Sequence, residues 1–447
     1  MFSLNLRPTT PRLTILALAL VTMGATAQAQ SLKELYDAAR AYDATYLAAK
    51  ALADSAQYKA AQADALRLPG VTLEGSGTTT KVDPVAGQNL TTNTQSVAVQ
   101  ARQPLFNRAN TATIAQAERA LQVSRADLET AEQDLIVRVA QAYFDVLASQ
   151  DSLGTAQTSK KAIAEQLASA KRNFEVGTAT ITDTREAQAR FDLATAQEIA
   201  ADNDLRTKRI VLDQLVGKTG IAPKPLAVPV ALPAVSPANA EEWVTLADDR
   251  HPGILRARLA QEVAKLETEK AQAGKLPTVD LIGSVGGSHN TGSGVTATGS
   301  RPGTSKNATI GVQMNYTLFS GGFVQNRIKE TLVLEEKARN DLEAARRGVA
   351  QGTRQAYFGV QSLQAQVKAL EAAESSSKLA LEATQLGYRV GVRVNLDVLN
   401  AQTQLFTTQR DLSKARYDVV LNSLKLRQAS GQLQPQDVQA VDALLAR

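Results

Sequence analysis

The chain has 447 residues, a formal net charge of +5, two histidines and no cysteine. The length allows two or three domains, while the missing cysteine excludes disulfides, thiolate metal sites, a cysteine nucleophile and a lipidated amino-terminal cysteine. With His251 and His289 the only histidines, and aromatics only 4% beside 44% hydrophobic residues, the chain reads as long packed helices of a structural or transport protein. No enzyme activity, cofactor, metal site or nucleic-acid partner is expected.

Residues 1–29 read as a signal peptide. Arg7 and Arg12 form a positive start, the apolar run 13–24 is too short to cross a bilayer, and Ala27-Gln28-Ala29 fits a small-x-small cleavage site. Removing those two arginines lowers the net charge to +3, so the pI near 9.2 says little about nucleic acid. The rest of the chain has no apolar run of about 18 residues. If it enters a membrane, it does so as strands.

Residues 32–68 are Ala-rich, without Pro or Gly, and predict a helix stopped at Pro69. Strands are expected at 71–82 and 94–105, joined by a polar connector, 83–93. A long helix is expected over 107–174, interrupted only by Gly154. It carries Leu128, Leu135 and Ala142 at every seventh position, which marks a coiled-coil seam. Val176-Gly177-Thr178 then forms a tip, because Gly supplies the positive φ of a helix terminus. Thr182 or Asp183 is expected to cap a return helix over 183–216. The Pro-rich stretch 218–239 is a linker.

The whole unit then repeats. Gln141-Ala142-Tyr143-Phe144 returns 214 residues later as Gln355-Ala356-Tyr357-Phe358, and the same offset maps Val176-Gly177 onto Val390-Gly391 and Asp183 onto Asp397. Repeat one is expected at 30–217 and repeat two at 240–431, with 432–447 a carboxy-terminal tail. In repeat two a strand hairpin is expected over 279–318. Its strand 279–289 has Val279, Leu281, Gly283 and Val285 on one face, and after the connector 290–306 comes the clearest strand, 309–318. There Ile310, Val312, Met314, Tyr316 and Leu318 alternate with polar or small residues. A long helix over 320–388 continues the seam through Leu342, Val349, Ala356, Leu363 and Leu370. The second tip is Val390-Gly391-Val392, and the return helix 397–430 is expected to be capped by Asn395.

Other signals are weaker. Gly217-Lys218-Thr219 resembles the end of a phosphate-binding loop, but that motif needs glycine at Leu212. Tyr143, Phe144, Tyr357, Phe358 and Trp243 read as core residues, and Asp248-Asp249 as a solvated face.

Four strands cannot close a barrel, and an open edge leaves backbone groups unsatisfied in hydrocarbon. A homotrimer contributing four strands per subunit would close twelve. The order helix, strand pair, long helix, Val-Gly tip and return helix, given twice after a signal peptide, resembles the TolC family of outer membrane factors. The likeness is strongest from Phe174-Glu175-Val176-Gly177 to Asp183, from Gly387-Tyr388-Arg389-Val390-Gly391 to Leu399, and from Ala415-Arg416-Tyr417 to Gly431.

The resemblance implies a mixed fold: a trimeric β-barrel in the outer membrane of a Gram-negative bacterium, continued as a coiled-coil α-helical tunnel in the periplasm. It implies an exit duct for tripartite efflux pumps or type I secretion. The expected partners are a periplasmic adaptor (membrane fusion) protein, an inner-membrane ABC or proton-driven pump, and outer membrane lipid. The tips Val176, Gly177, Thr178, Val390, Gly391 and Val392 would dock the adaptor. Thr182, Asp183, Tyr388 and Arg393 match a family latch that closes the periplasmic entrance. Asp397 matches the first of two ring aspartates, but the second is Asn400 here, so a single acidic ring is expected. The competing reading, a periplasmic coiled-coil adaptor without a barrel, leaves the alternating strand unexplained.

Overall fold

The computed structural model describes residues 30–82, 90–227, 229–230, 232–292 and 302–446. The expected signal peptide 1–29 lies outside them, as do 83–89 and 293–301 of the two expected connectors.

Ser31 opens α1 (Leu32–Tyr42) through a reciprocal capping box with Glu34. Leu32, Leu35, Tyr36 and Ala39 then bury one stripe at helical spacing. The single helix expected over 32–68 is broken at Asp43. That residue leaves the helical region (φ −61°, ψ 114°) and caps α2 (Ala44–Asp64), accepting from the Tyr46 N–H at 2.8 Å. Its carboxylate also takes both arms of the Arg138 guanidinium, at 2.8 and 2.9 Å. This bidentate pair holds the Asp43 carboxyl below its usual pKa and pins the break to the long helix behind it. The expected helix ends in a short 3₁₀ turn, Ala65–Arg67.

The strands β1 (Gly70–Val82), β2 (Leu90–Phe106), β3 (Thr278–Gly292) and β4 (Gly303–Asn315) form one sheet in the order β1-β2-β3-β4, all neighbours antiparallel. Several boundaries differ from expectation. Thr92–Asn93 and Asn290–Gly292, expected as connectors, extend the β2–β3 ladder, and Thr91 pairs with Lys81 of β1, so the backbone pairing runs on where the sequence has already turned polar. Residues 303–306 likewise belong to β4. At its other end β4 stops at Asn315, so Tyr316 and Leu318 continue the alternation in sequence but lie beyond the last ladder pair, Thr278↔Asn315.

The helix α3 (Arg108–Glu175, 68 residues) is about 100 Å long at 1.5 Å per residue. It packs on α2, on the return helix α4 (Ile181–Val216), and on α6 (Pro252–Ala273). The second copy has a short α5 (Ala240–Arg250), then α6, and after β4 the long α7 (Phe323–Arg389) and its return α8 (Asn395–Ala429). The expected start of this long helix at 320 is taken by a turn in which Gly321 and Gly322 have φ of 61° and 85°. α3 packs on both α4 and α8, and α8 on both α3 and α7, so the long helices form a strip α4–α3–α8–α7.

Position in that strip explains the aromatic pairs. Tyr143 and Phe144, on a helix with neighbours on several sides, are both buried, and the Tyr143 hydroxyl donates to the Lys224 carbonyl at 2.8 Å. On α7, at the edge, Tyr357 is buried but Phe358, expected in the core, is exposed. One residue turns the side chain about 100° round a helix, and at an edge nothing waits there. Trp243 is buried and donates to the Pro237 carbonyl. The expected tail carries a further helix, α9 (Pro435–Asp442), which buries Val438 and Val441 and meets α1 through Lys33 N–H and Asp442.

Candidate functional site

Two surfaces carry the functional expectations: the faces of the sheet and the tips of the helical hairpins. The register sorts the sheet residues cleanly. Val71↔Ala101, Leu73↔Val99 and Val99↔Val285 share one face with Leu281↔Val312 and Val279↔Met314. Their side chains lie open, with Leu73 at 72% and Ile310 at 81% exposure. The opposite face pairs Thr72↔Gln100, Ser76↔Ser96, Ser96↔Ser288 and Ser284↔Thr309. Its charges are Glu74, hydrogen-bonded by Gln100, and an ion pair between Arg102 and the buried Asp280. One face is built for hydrocarbon and one for water. At the end of the sheet nearest the helices, Phe106, Tyr316, Phe319 and Phe323 are exposed, as aromatics at a membrane–water boundary are. Among the described residues both sheet edges, β1 and β4, are unpaired in one chain.

The two hairpin tips share one geometry. Gly177 N–H reaches the Phe174 carbonyl at 3.0 Å and Thr178 N–H the Asn173 carbonyl at 2.8 Å. In the other copy Gly391 N–H reaches Tyr388 and Val392 N–H reaches Gly387. Both glycines are left-handed, with φ of 79° and 80°, so each long helix ends in a Schellman motif. Val176, Val390 and Val392 stand exposed around them.

Past the tips the copies diverge. Thr180, and not Thr182 or Asp183, is the N-cap of α4. Its hydroxyl accepts from the Asp183 N–H, and the Asp183 carboxylate accepts from the Thr180 N–H at 2.9 Å and its hydroxyl at 2.7 Å. Asp183 is thus the third helical residue of a capping box, a position an acid favours by the helix dipole as well. Thr182 is exposed. In the second copy the N-cap is Val394, which has no side-chain acceptor, and Asn395, expected as the cap, is already helical. Asp397 therefore faces Arg393, 3.6 Å away. The stem of Arg393 lies over Gly387, where an added Cβ would fall 2.8 Å from its Cγ.

Of the expected latch residues, none is hydrogen-bonded to another within the chain among the described residues. The Tyr388 hydroxyl accepts from Asn173 at 3.3 Å instead, a tie between the two copies. Asn400 accepts from Arg190 at 3.0 Å, and Gln166 donates to Asn395. Sequence reasoning singled out none of Gln166, Asn173, Thr180 and Arg190. Aligning the copies residue by residue exposes two of them, since the 214 offset sets Thr180 against Val394 and Asn173 against Gly387. Among the described residues no group of acidic or histidine side chains could hold a metal ion, and no helix is long and apolar enough to cross a membrane.

The sequence profile of the family described as outer membrane efflux protein matches residues 35–218 and 243–432. The chain is 31% identical over 425 residues to outer membrane protein TolC of Vibrio cholerae, covering 95% of this chain and 96% of that one. It is 35% identical over 317 residues to the alkaline protease secretion protein AprF of Pseudomonas aeruginosa, covering 70% and 64%. Among solved structures, the outer membrane protein VceC of Vibrio cholerae superposes with a TM-score of 0.76 at 20% identity, covering 90% of this chain and 96% of that one.

Proposed function

The chain belongs to the outer membrane efflux protein family, whose members are channel proteins, and from that premise we propose that three copies close a twelve-stranded barrel over a helical tunnel. It is an outer-membrane exit duct of the kind that serves efflux pumps and type I secretion, with its helical part in the periplasm. The observation that carries the trimer is the four-stranded sheet with one apolar face, one polar face and two unpaired edges. Such a sheet is stable in hydrocarbon only when closed, and the helical strip has matching open edges. Exposed Leu193, Ile199 and Ile210 lie on α4 and Val333, Phe358 and Leu379 on α7.

The exposed tips Val176-Gly177-Thr178 and Val390-Gly391-Val392 meet a periplasmic adaptor, which couples the duct to an ABC or proton-driven pump. The latch works across the boundary between subunits: Thr182 and the free carboxylate oxygen of Asp183 on one subunit face Arg393 of the next, while Tyr388 is steadied by Asn173 of its own chain. Asp397 forms the single acidic ring at the entrance.

The test replaces Val312 by Pro. Val312 pairs with Leu281 inside the sheet, and proline removes a ladder donor there. Loss of heat-modifiable trimer from the outer membrane fraction is expected. Normal amounts of such trimer in Val312→Pro would overturn the closed barrel.

A further inference from the structure

Two cations come together where the helices meet the sheet. α3 and α6 run antiparallel, with Gln116 donating to Glu267 at 2.9 Å and Arg256 reaching Asp127 at 3.4 Å. Following that register toward the sheet, eight residues along each segment from Gln116 and Glu267, brings Arg108 of α3 level with Lys275, just past the end of α6. The backbone keeps its helical turn that far, since the Lys275 N–H donates to the Gln272 carbonyl and the Leu276 N–H to the Ala273 carbonyl. The sheet gives the same placement from its own side. The last β2–β3 pair is Phe106↔Val279, two residues before Arg108 and four after Lys275. Both residues are exposed, and α6 packs between α3 and α7, so they lie inside one chain's helix layer and not at its edges.

Among the described residues neither cation is in an ion pair, while Asp64 is matched by Arg67, Asp280 by Arg102 and Glu267 by Arg327. Arg108 also opens α3, whose first turn holds no acid, so its charge stands at the positive end of the helix dipole with nothing to offset it. The neighbouring surface is apolar. A Cβ added at Gly274 would lie 3.4 Å from the methyls of Val324, which sets Lys275 beside the start of α7. Phe106, Leu276 and Phe323, each next to or within two residues of these positions, are exposed, and the apolar face of the sheet begins at Val279. Two unmatched cations beside uncovered apolar surface, at the level where hydrocarbon gives way to water, suit a ligand with a phosphate and acyl chains. A free anion would leave the apolar half uncovered.

We infer that Arg108 and Lys275 bind the phosphate of an anionic diacyl phospholipid in the periplasmic leaflet, one lipid per chain, with its acyl chains along the apolar face of the sheet. The inference rests on the barrel reading above. The Arg108 guanidinium can take two phosphate oxygens at once, and the Lys275 ammonium adds a point charge on a flexible stem. A zwitterionic choline lipid carries the same phosphate but brings its own cation, so the pair selects for net negative charge.

Native mass spectrometry of the detergent-purified full-length protein tests this, after incubation with equal amounts of phosphatidylglycerol and phosphatidylcholine of identical acyl chains. The unsubstituted protein is expected to retain phosphatidylglycerol in several-fold excess. Arg108→Gln with Lys275→Gln should bring the two lipids to equal retention. Arg108→Lys with Lys275→Arg should keep the preference, and so should Lys265→Gln, which removes an exposed charge further along α6. Equal retention by the unsubstituted protein, or an unchanged preference in the double glutamine variant, overturns the inference. Loss of the preference in Lys265→Gln also overturns it, because bulk charge and not this pair would then be at work. Inorganic phosphate that displaces phosphatidylglycerol at equal concentration would make this a free-anion site and overturn the lipid assignment. Retention of both lipids alike leaves the barrel reading standing, whereas retention of neither sinks the inference and counts against the barrel as well.

Discussion

Thr180 and Val394 occupy the same position in the two copies, and the difference between them decides what each following aspartate touches. With a hydroxyl at the cap, one oxygen of Asp183 is held in the capping box; with valine there, Asp397 is left to Arg393. If Arg393 also reaches Asp183 of the adjacent subunit, Arg393→Ser removes a charge-assisted bond worth ~1.5–3 kcal/mol from each of three latches. Combined with Tyr388→Phe, which removes the tie to Asn173, a several-fold rise in bilayer conductance is expected; unchanged conductance would remove these residues from the gate. A second residue-scale prediction concerns Asp151 on α3. Burial raises its pKa, although the Tyr417 hydroxyl donates to it from α8 at 2.8 Å. The folded protein then keeps this proton to higher pH than the unfolded chain does. Stability from this site is present below the ordinary carboxylate pKa and is lost as pH rises through the raised value. Thermal melts of the detergent-solubilised protein should show that slope flattened by Asp151→Asn, which still accepts from Tyr417. Parallel pH profiles for the two proteins would count against it.

At the scale of elements, what was legible in the sequence is what a local pattern enforces. The Val-Gly tips were readable because the left-handed residue that ends each helix must be glycine-like, and the strands because successive residues point alternately to an apolar and a polar face. The break at Asp43 was not readable. It depends on Arg138, which is 95 residues away in sequence and reaches Asp43 only once α3 has folded behind α2. The end of β4 was misplaced for a related reason: Tyr316 and Leu318 keep the period-two pattern as boundary residues, so periodicity alone overshoots the ladder. The exposed Phe358 and the ties of Asn395 and Asn400 depend on which helix lies beside which, information that no window of the sequence contains. The tips allow an element-scale prediction. An added Cβ at Gly177 or Gly391 meets nothing within 4 Å, so Gly→Val there costs only backbone strain, ~1–2 kcal/mol, and leaves trimer and barrel in place. The strain reshapes the tip the adaptor must meet. Export should fall in Gly177→Val and Gly391→Val while the amount of outer-membrane trimer is unchanged; full export by both variants would move docking away from the tips.

At the scale of the whole molecule, strand parity and edge geometry fix how copies can join. β1 is antiparallel to β2, β2 to β3 and β3 to β4, so β4 of one copy can continue the ladder antiparallel onto β1 of the next, with no strand reversed. An even number of strands per copy makes any ring of copies an all-antiparallel sheet, and the open edges of α4 and α7 can close in the same step. Three copies give twelve strands, within the range of closed membrane barrels, whereas an unclosed chain of copies would keep two bare edges in lipid. The cysteine-free background makes closure measurable. Thr72 on β1 and Gln313 on β4 both lie on the polar face near the helical end of the sheet. Barrel shear shifts the register between copies, so Thr72→Cys is combined in turn with cysteine at the polar-face positions of β4: Ser305, Asn307, Thr309, Gly311 and Gln313. One combination should oxidise efficiently and give, on non-reducing gels, a ladder of one, two and three chains that stops at three and collapses on reduction. A ladder running past three would mean an open assembly, and no cross-link at any position would mean that β1 and β4 are not neighbours across the subunit boundary.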